Sequence, residues 1–143
     1  MFSQLDKYLN SNFSTDYWSD EAICVAEQTL SRFSENDWNE LTVAIKQRPS
    51  EWVLRCVESL GEINSPFALK ALIETAQHSN TEIQITSLDS IRFHVGKNYL
   101  KEGDIKILLL KVSSFRTQSS VTAKMIGDLK NKIIDHLETK ANS

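Results

Sequence analysis

The sequence predicts an all-α protein of stacked helical hairpins, with seven or eight helices in a single domain that spans residues 1–143. Apolar residues recur at helical spacing along the whole chain. Glycine occurs four times and proline twice, which is too few for a sheet protein rich in turns. An apolar helical pattern also recurs after 31 residues in the middle of the chain.

The N-terminal third predicts three helices. The first covers Phe2 to Leu9 and ends in the polar stretch 10–15. Ser19 is the expected N-cap of the second helix, because two acidic residues follow it and the helix dipole favours acids in a first turn. Ser34 begins the third helix in the same way. The expected buried residues are Ile23, Ala26 and Leu30, with Cys24 and Val25 nearby, and then Trp38, Leu41 and Ile45.

The middle of the chain predicts three more helices. Pro49 ends the third helix, and a fourth runs from about Ser50 to a C-cap at Gly61. Pro66 opens the fifth helix. Asn80 or Thr81 opens the sixth, which is expected to end at Gly96. The expected core residues are Val53, Cys56, Val57 and Leu60, then Leu69, Leu72, Ile73 and Ala76, then Ile85, Leu88, Ile91 and Val95.

The C-terminal part predicts two further helices. Residues 104–113 are mostly apolar, so a buried strand is the alternative there, but the chain offers no second strand to pair with it. The last helix is expected from about Ser120 to Glu138. The expected apolar positions are Ile105, Leu108, Leu109 and Val112, then Val121, Met125, Leu129, Ile133 and Leu137, with Ile126 and Ile134 beside them.

The repeat aligns residues 53–63 with residues 84–94 at an offset of 31 residues. A glycine cap, a short turn with proline and a second apolar helix lie between the two copies. This is the helix–turn–helix unit of an α-solenoid, in which each unit leaves an apolar face that only the next unit covers. The alignment matches Cys56, Val57 and Leu60 with Ser87, Leu88 and Ile91.

The repeated unit has a first helix with Leu54, Arg55, Leu60 and Gly61, and a second with Pro66, Ala68, Leu69, Leu72, Ile73 and Ala76. In these residues the stretch 52–91 resembles the short variety of the HEAT repeat family, with about thirty residues per repeat. The second copy departs from that pattern at Thr86 and Arg92. The resemblance implies right-handed stacked hairpins, with HEAT-like units at about 50–113 and capping helices at 1–48 and 119–140.

A second likeness involves residues 37–63, DWNELTVAIKQRPSEWVLRCVESLGEI. The residues that carry it are Trp38, Leu41, Pro49, Trp52, Arg55, Leu60 and Gly61. With the small size and the acidic N-terminal part, they make the chain similar to HEAT-like immunity proteins of bacterial polymorphic toxin and contact-dependent growth inhibition systems. That resemblance implies a cytoplasmic protein that binds one toxin domain and neutralises it.

The charge is unevenly distributed along the chain. Residues 1–96 contain 7 Lys/Arg and 14 Asp/Glu, a net charge of −7, whereas residues 97–143 contain 9 and 5, a net charge of +4. One interpretation is a solvated acidic surface with a basic C-terminal helix. The other is an acidic surface that faces a basic partner, since complementary charge steers association. The acidic balance argues against nucleic-acid binding by the first two-thirds of the chain.

The chain shows no sign of a membrane or secretory segment. No apolar run approaches the roughly 18 residues that a membrane span needs. The N-terminus, MFSQLDKYLNSNF, lacks a basic start followed by an apolar stretch. We therefore expect a cytoplasmic protein without membrane contact.

No spacing typical of catalysis or metal binding is found. His78, His94 and His136 lie near the ends of three different predicted helices, without HExxH or HxH spacing. Cys24 and Cys56 lie inside apolar patterns, so both are expected to be buried thiols. We therefore expect a protein that is not an enzyme and that holds no metal and no cofactor.

The resulting hypothesis is an inhibitor that occludes the basic active surface of a nuclease-type toxin. Trp52 is the expected apolar anchor, with core packing as the alternative, because other residues already fill the inner stripe of its helix. The alternative function is a HEAT-like scaffold or assembly factor that bridges host proteins. A HEAT-like DNA glycosylase is disfavoured by the acidic balance. The expected partner-binding acids are Glu51, Glu58, Glu62, Glu82 and Asp89, of which Glu58 and Asp89 hold corresponding repeat positions.

Overall fold

The structure, a computed structural model, describes residues 1–142, which form helices joined by turns and loops, without a strand. With the continuous segment 15–30 counted as one helix, these residues form eight helices, so the predicted all-α class is confirmed. The helix at 104–113 is confirmed as well. The helices are α1 (Phe2–Leu9), α2 (Thr15–Tyr17), α3 (Ile23–Leu30), α4 (Glu35–Ile45), α5 (Ser50–Leu60), α6 (Pro66–Thr75), α7 (Thr81–Ile91), α8 (Glu102–Ser114) and α9 (Ser120–Ala141).

The second predicted helix begins earlier than expected. Ser14, not Ser19, is the N-cap, since its hydroxyl accepts a hydrogen bond from the backbone N–H of Tyr17 at 3.1 Å. A π-helical turn, Trp18–Ala22, then joins α2 to α3 without a break and contains Ser19. The buried residues of this segment recur every fourth position, at Trp18, Ala22, Ala26 and Leu30.

This spacing corrects the prediction for three side chains of α3. Cys24 and Val25 are exposed, and Ile23 is only half-buried, because the buried positions lie on the opposite side of the helix. Cys56, by contrast, is fully buried as predicted. Burial raises the pKa of the Cys56 thiol to about 12, so this thiol stays protonated at neutral pH.

The helices alternate between two rows along the chain. Helices α3, α5, α7 and α9 pack side by side in that order, and α4, α6 and α8 do the same beside them. Helix α1 packs against α3, α4 and α5 at the N-terminal end. The arrangement is a stack of helical hairpins, in which each helix meets the next but one along the chain. Its right-handed, HEAT-like solenoid character stays a prediction.

The 31-residue repeat places equivalent side chains in the core. Cys56, Val57 and Leu60 of α5 are completely buried, as are Ser87, Leu88 and Ile91 of α7. The two helices approach closely at Gly61, where an added Cβ would lie 3.2 Å from the Ser90 hydroxyl oxygen. Glycine at the C-cap of α5 therefore permits the close packing of the two repeated helices.

Helix α7 departs from the prediction at both of its ends. Ile83 is buried, whereas Ile85 and Val95 are only half-buried. Ile83 lies one turn before Ser87, whose hydroxyl lies 2.7 Å from that of Thr75, so this side of α7 faces α6. The helix ends at Ile91 and a 3-10 turn follows it, before Gly96 with its positive φ of 95°.

Helices α8 and α9 bury only part of their expected stripes. The buried residues are Ile105, Leu108 and Val112 in α8, and Ile126, Leu129 and Ile133 in α9. Val121 and Ile134 are exposed, and Leu109, Met125 and Leu137 are half-buried, so these two helices are covered on a narrower side than the apolar pattern predicts. No helix among residues 1–142 is both long enough and apolar enough to span a membrane.

Arg55 on α5 and Arg48 in the turn before it hold the N-terminal segment against this part of the chain. The Arg55 guanidinium donates to the backbone carbonyls of Leu9, Ser11 and Phe13 at 3.1, 2.7 and 3.4 Å. It also lies over the rings of Phe13 and Trp18, 5.5 Å from each centroid. The Arg48 guanidinium binds both carboxylate oxygens of Asp6 in α1, at 2.9 and 2.7 Å. The loop between α1 and α2 is therefore held by charged donors.

The substitution Arg55→Ala is expected to lower the free energy of unfolding by about 2–4 kcal/mol, because it leaves three carbonyls without a donor and removes two cation–π contacts. Arg55→Lys should retain only a small part of the stability that Arg55→Ala loses, since an ammonium lacks the forked donors of a guanidinium. Urea denaturation measures both effects. The exposed Arg116→Ala change serves as the control, with an expected effect within about 0.5 kcal/mol. Equal effects of Arg55→Ala and Arg116→Ala would contradict the role given to Arg55.

Candidate functional site

All five predicted acids are exposed on α5 and α7 or next to them. Glu51 and Glu58 lie two turns apart on one side of α5, and Glu62 follows one turn later. Glu82 lies at the start of α7, which packs directly against α5. A groove of about 280 Å³ separates the beginnings of these two helices, and both Glu51 and Glu82 line it.

The carboxylates of this surface repel one another. The pKa of Glu58 is raised, first by burial and then by the charge of Glu82, although Trp18 and Arg55 act in the opposite direction. The pKa of Glu27 on α3 is raised by burial and by the charge of Glu62. We call the exposed carboxylates of Glu51, Glu58, Glu62 and Glu82, together with the half-buried carboxylate of Glu27, the acidic face. It crosses α3, α5 and α7, which are neighbours in one row.

Ion pairing separates the predicted acids into two groups. Glu51 lies 3.4 Å from the Arg55 guanidinium, which is already engaged with backbone carbonyls. Asp89 forms an ion pair with Arg92 in the 3-10 turn that follows α7, so its charge is compensated locally. Glu58, Glu62 and Glu82 form no ion pair with any of residues 1–142. The uncompensated charge therefore lies along α5 and at the start of α7.

Asp89 also faces a different groove. Its groove, of about 310 Å³, lies between α7 and α9 and includes Arg92, Val121 and Met125. Glu58 and Asp89 do occupy matching positions on neighbouring helices, as the repeat predicts. The carboxylate that acts on Glu58, however, is that of Glu82.

Trp52, the predicted apolar anchor, is buried and therefore cannot contact a partner directly. Trp52 is 2% exposed, its indole N–H donates to the Asp6 carbonyl at 3.3 Å, and Arg48 lies 5.8 Å from its ring. It packs between α1 and α5, in agreement with the alternative prediction of core packing. Helical spacing within α5 could not show this, because α1 lies more than forty residues earlier in the sequence.

Trp18 is the tryptophan that lies beneath the acidic face. It is 4% exposed, and its indole N–H is near enough to Glu58 to favour the charged carboxylate. That N–H makes no hydrogen bond of ordinary geometry with any described residue. Neither Trp18 nor Glu27 was predicted from the sequence, where the only signal was their place in the acidic N-terminal third.

The three histidines do not come together. His94 is fully buried, and its Nδ1 lies 2.7 Å from the Tyr99 hydroxyl oxygen. His78 accepts a hydrogen bond at Nδ1 from the backbone N–H of Asn80, and His136 lies on α9. No group of three or more histidine, cysteine or acidic side chains in residues 1–142 is placed to hold a metal ion.

No protein-family model, no curated protein and no solved structure matches the chain. The likeness to HEAT proteins and to immunity proteins therefore stays a prediction from the sequence. The candidate site depends on its own geometry, which is a row of carboxylates above a buried indole whose N–H lies close to Glu58.

Glu58→Gln is expected to leave the isolated protein as stable as before or more stable, by about 0.5 kcal/mol at most because the side chain is exposed. A carboxyl whose pKa is raised in the fold destabilises the fold when charged, and this effect grows as the pH rises through the raised pKa. Urea denaturation at pH 7 measures the change, with the exposed Glu40→Gln on α4 as the control. A clear loss of stability in Glu58→Gln alone would show that the Glu58 charge stabilises the fold.

His94 is expected to make stability fall as the pH drops below about 6.5. Burial lowers its pKa below the usual 6.5, and Lys97 acts in the same direction, while the Leu60 backbone partly opposes them. Since the unfolded chain then binds the proton first, the neutral ring favours the folded state above pH 6.5, and this advantage is lost on acidification. Titration of the His94 ring protons by NMR in the folded protein measures the pKa directly. A value of 6.5 or higher would contradict this prediction.

Proposed function

We propose that the protein is a cytoplasmic immunity protein that binds a cognate toxin domain and neutralises it by covering its basic active surface. The acidic face carries this proposal. Its three carboxylates without an ion pair among residues 1–142 are exposed: Glu58 on α5, Glu62 just after it, and Glu82 on α7, which packs against α5. The basic surface of a nuclease-type toxin has the complementary charge. An acidic protein that covers such a surface competes with the polyanion that the nuclease would bind.

The energetic state of the acidic face supports binding as its role. The raised pKa values of Glu58 and Glu27 mean that their charges oppose folding of the free protein. Functional surfaces commonly retain groups that lower stability, because activity and stability make different demands on the same residues. A cationic partner would relieve the repulsion between these carboxylates. The removal of this repulsion would then favour the bound state.

Association is expected to depend on long-range attraction. A surface with one sign of charge accelerates encounter with an oppositely charged partner, and salt screens this effect. Trp18 is buried close to Glu58, so it supports the acidic face from within the fold. Trp18 and Trp52 are both too little exposed to serve as apolar anchors, so the proposal depends on charge.

The proposal predicts that a toxin domain is encoded beside the gene, and co-expression with that domain tests it. The wild-type protein should restore growth, and the triple variant Glu58→Lys, Glu62→Lys, Glu82→Lys should not. With purified proteins, this variant should lower the association rate constant by about 10- to 100-fold at low salt. The wild-type rate should also fall with rising salt.

The matched control is Glu40→Lys, Glu102→Lys, Asp128→Lys, which changes the net charge equally but at exposed positions on α4, α8 and α9. It should restore growth as the wild type does. Circular dichroism should show that both triple variants remain helical. If the acidic-face variant protects as well as the control, or if the wild type fails to protect, the proposed function is wrong.

A scaffold that bridges two host proteins is the second candidate, and the basic surface of α9 favours it. Lys124 and Lys130 are exposed there, on the far side of the stack from α1. The acidic face and the basic surface of α9 would then bind two different partners. This candidate predicts a ternary complex that Lys124→Glu, Lys130→Glu disrupts, whereas growth protection through the acidic face would be unaffected by that change.

A further inference from the structure

An aromatic groove of about 510 Å³ lies along the edge of the stack where the helices turn, between the α3–α4 turn and the α5–α6 turn. Phe33, Trp38 and Phe67 form its apolar wall. The rings of Trp38 and Phe67 are nearly parallel, at 14° with centroids 6.1 Å apart, and Phe33 meets Trp38 edge-on at 5.1 Å. Phe67 is 39% exposed, so the wall presents an aromatic ring to solvent.

Two carboxylates line this aromatic groove. Glu35 comes from the first turn of α4, and Glu62 follows α5. Neither forms a hydrogen bond or an ion pair through its side chain within residues 1–142. Glu27 on α3 is a third nearby carboxylate: burial and then the charge of Glu62 raise its pKa. Arg32 is exposed and lies outside the groove lining.

The protein's own arginines show what such a combination binds. Arg55 covers Phe13 and Trp18 while it donates to backbone oxygens. Arg48 covers Trp52 while it binds the Asp6 carboxylate. The aromatic groove offers the same two components, ring faces and carboxylate oxygens, and no arginine or lysine of residues 1–142 lines it.

We propose that the aromatic groove binds the guanidinium group of an arginine side chain on a basic protein partner. A guanidinium is planar, so it stacks on the ring of Phe67 and donates along its edge to the carboxylates of Glu35 and Glu62. An ammonium is compact and more strongly hydrated, and it matches a flat aromatic wall less well. The inference takes its partner from the proposed function and names the side chain that the partner must present.

The probe is a pentapeptide, acetyl-Gly-Arg-Gly-Arg-Gly-amide, titrated into the full-length protein labelled with ¹⁵N. Matched peptides carry citrulline, which is uncharged, or lysine in place of arginine. The indole N–H signal of Trp38, assigned with a Trp38→Phe variant, reports on the groove. The arginine peptide should shift this signal in a saturable manner and shift those of Trp18 and Trp52 less. The citrulline peptide should leave all three unchanged.

Variants then separate the carboxylates from the rings. Glu35→Gln with Glu62→Gln, and separately Phe67→Ala, should each raise the dissociation constant of the arginine peptide by about five- to tenfold. Glu40→Gln with Glu102→Gln removes the same charge elsewhere and should leave the dissociation constant unchanged. All of these positions are exposed, so the variants are expected to fold.

Three outcomes overturn the proposal: a citrulline peptide that binds equally well, a lysine peptide that binds as tightly as arginine, or a paired Gln variant with unchanged affinity. The titration contains no toxin, so a negative result contradicts the aromatic groove alone. A normal titration together with failed growth protection by the wild type would instead contradict the proposed function alone.

Discussion

The Arg55 guanidinium joins the N-terminal segment to the helix that carries the acidic face. It satisfies three backbone carbonyls in the loop between α1 and α2 and covers two aromatic rings. A loop without regular structure leaves its carbonyls unpaired unless side chains or water supply donors. Because Arg55 supplies them, Phe13 and Trp18 pack beside α5, and α3 is brought against it. Arg48 does the same for α1 through Asp6, whose pKa its hydrogen bonds lower.

The same arrangement leaves the acids outside. Arg48 and Arg55 direct their donors inward to α1 and its loop, so Glu51 shares Arg55 with three carbonyls, and Glu58 has no ion pair within residues 1–142. Burial and then the charge of Glu82 raise the pKa of Glu58, and the nearby Arg55 offsets this only in part. Arg55 thus serves the N-terminal loop and the acidic face at once, and its charge compensates the carboxylates of that face only in part.

The repeated helices show how serine replaces cysteine in a tightly packed core. Ser87 occupies the position that corresponds to Cys56, and it is equally buried. Its hydroxyl donates to the Ile83 carbonyl at 2.7 Å and lies 2.7 Å from the Thr75 hydroxyl. The Ser87 hydroxyl therefore has hydrogen-bond partners in the contact between α6 and α7, which avoids the penalty for a buried polar group without a partner. Pairing with Thr75 also aligns α7 with α6.

The sequence alone was sufficient for the helices and for most of the core. Prolines, caps and the 3.6-residue period are local signals, and they correctly located α1, α4, α5, α6 and α8. The period tells which residues of a helix share a side. It does not tell which side meets a neighbour, and for this reason Cys24, Val121 and Ile85 were assigned to the core and are not in it.

The candidate site depended more heavily on tertiary structure. The helical pattern was sufficient to predict that the five acids are exposed, but not which of them form ion pairs. Asp89 is compensated by Arg92. The burial of Trp52 under α1 could not be predicted from the pattern either. The aromatic groove joins two turns that are about thirty residues apart in the chain. By itself the sequence determined an all-helical chain with an acidic first two-thirds, because periodicity and charge are properties of neighbouring residues. Only the packing of distant helices decided which carboxylates remain unpaired and which rings lie beside them, because these depend on contacts between residues far apart in the chain.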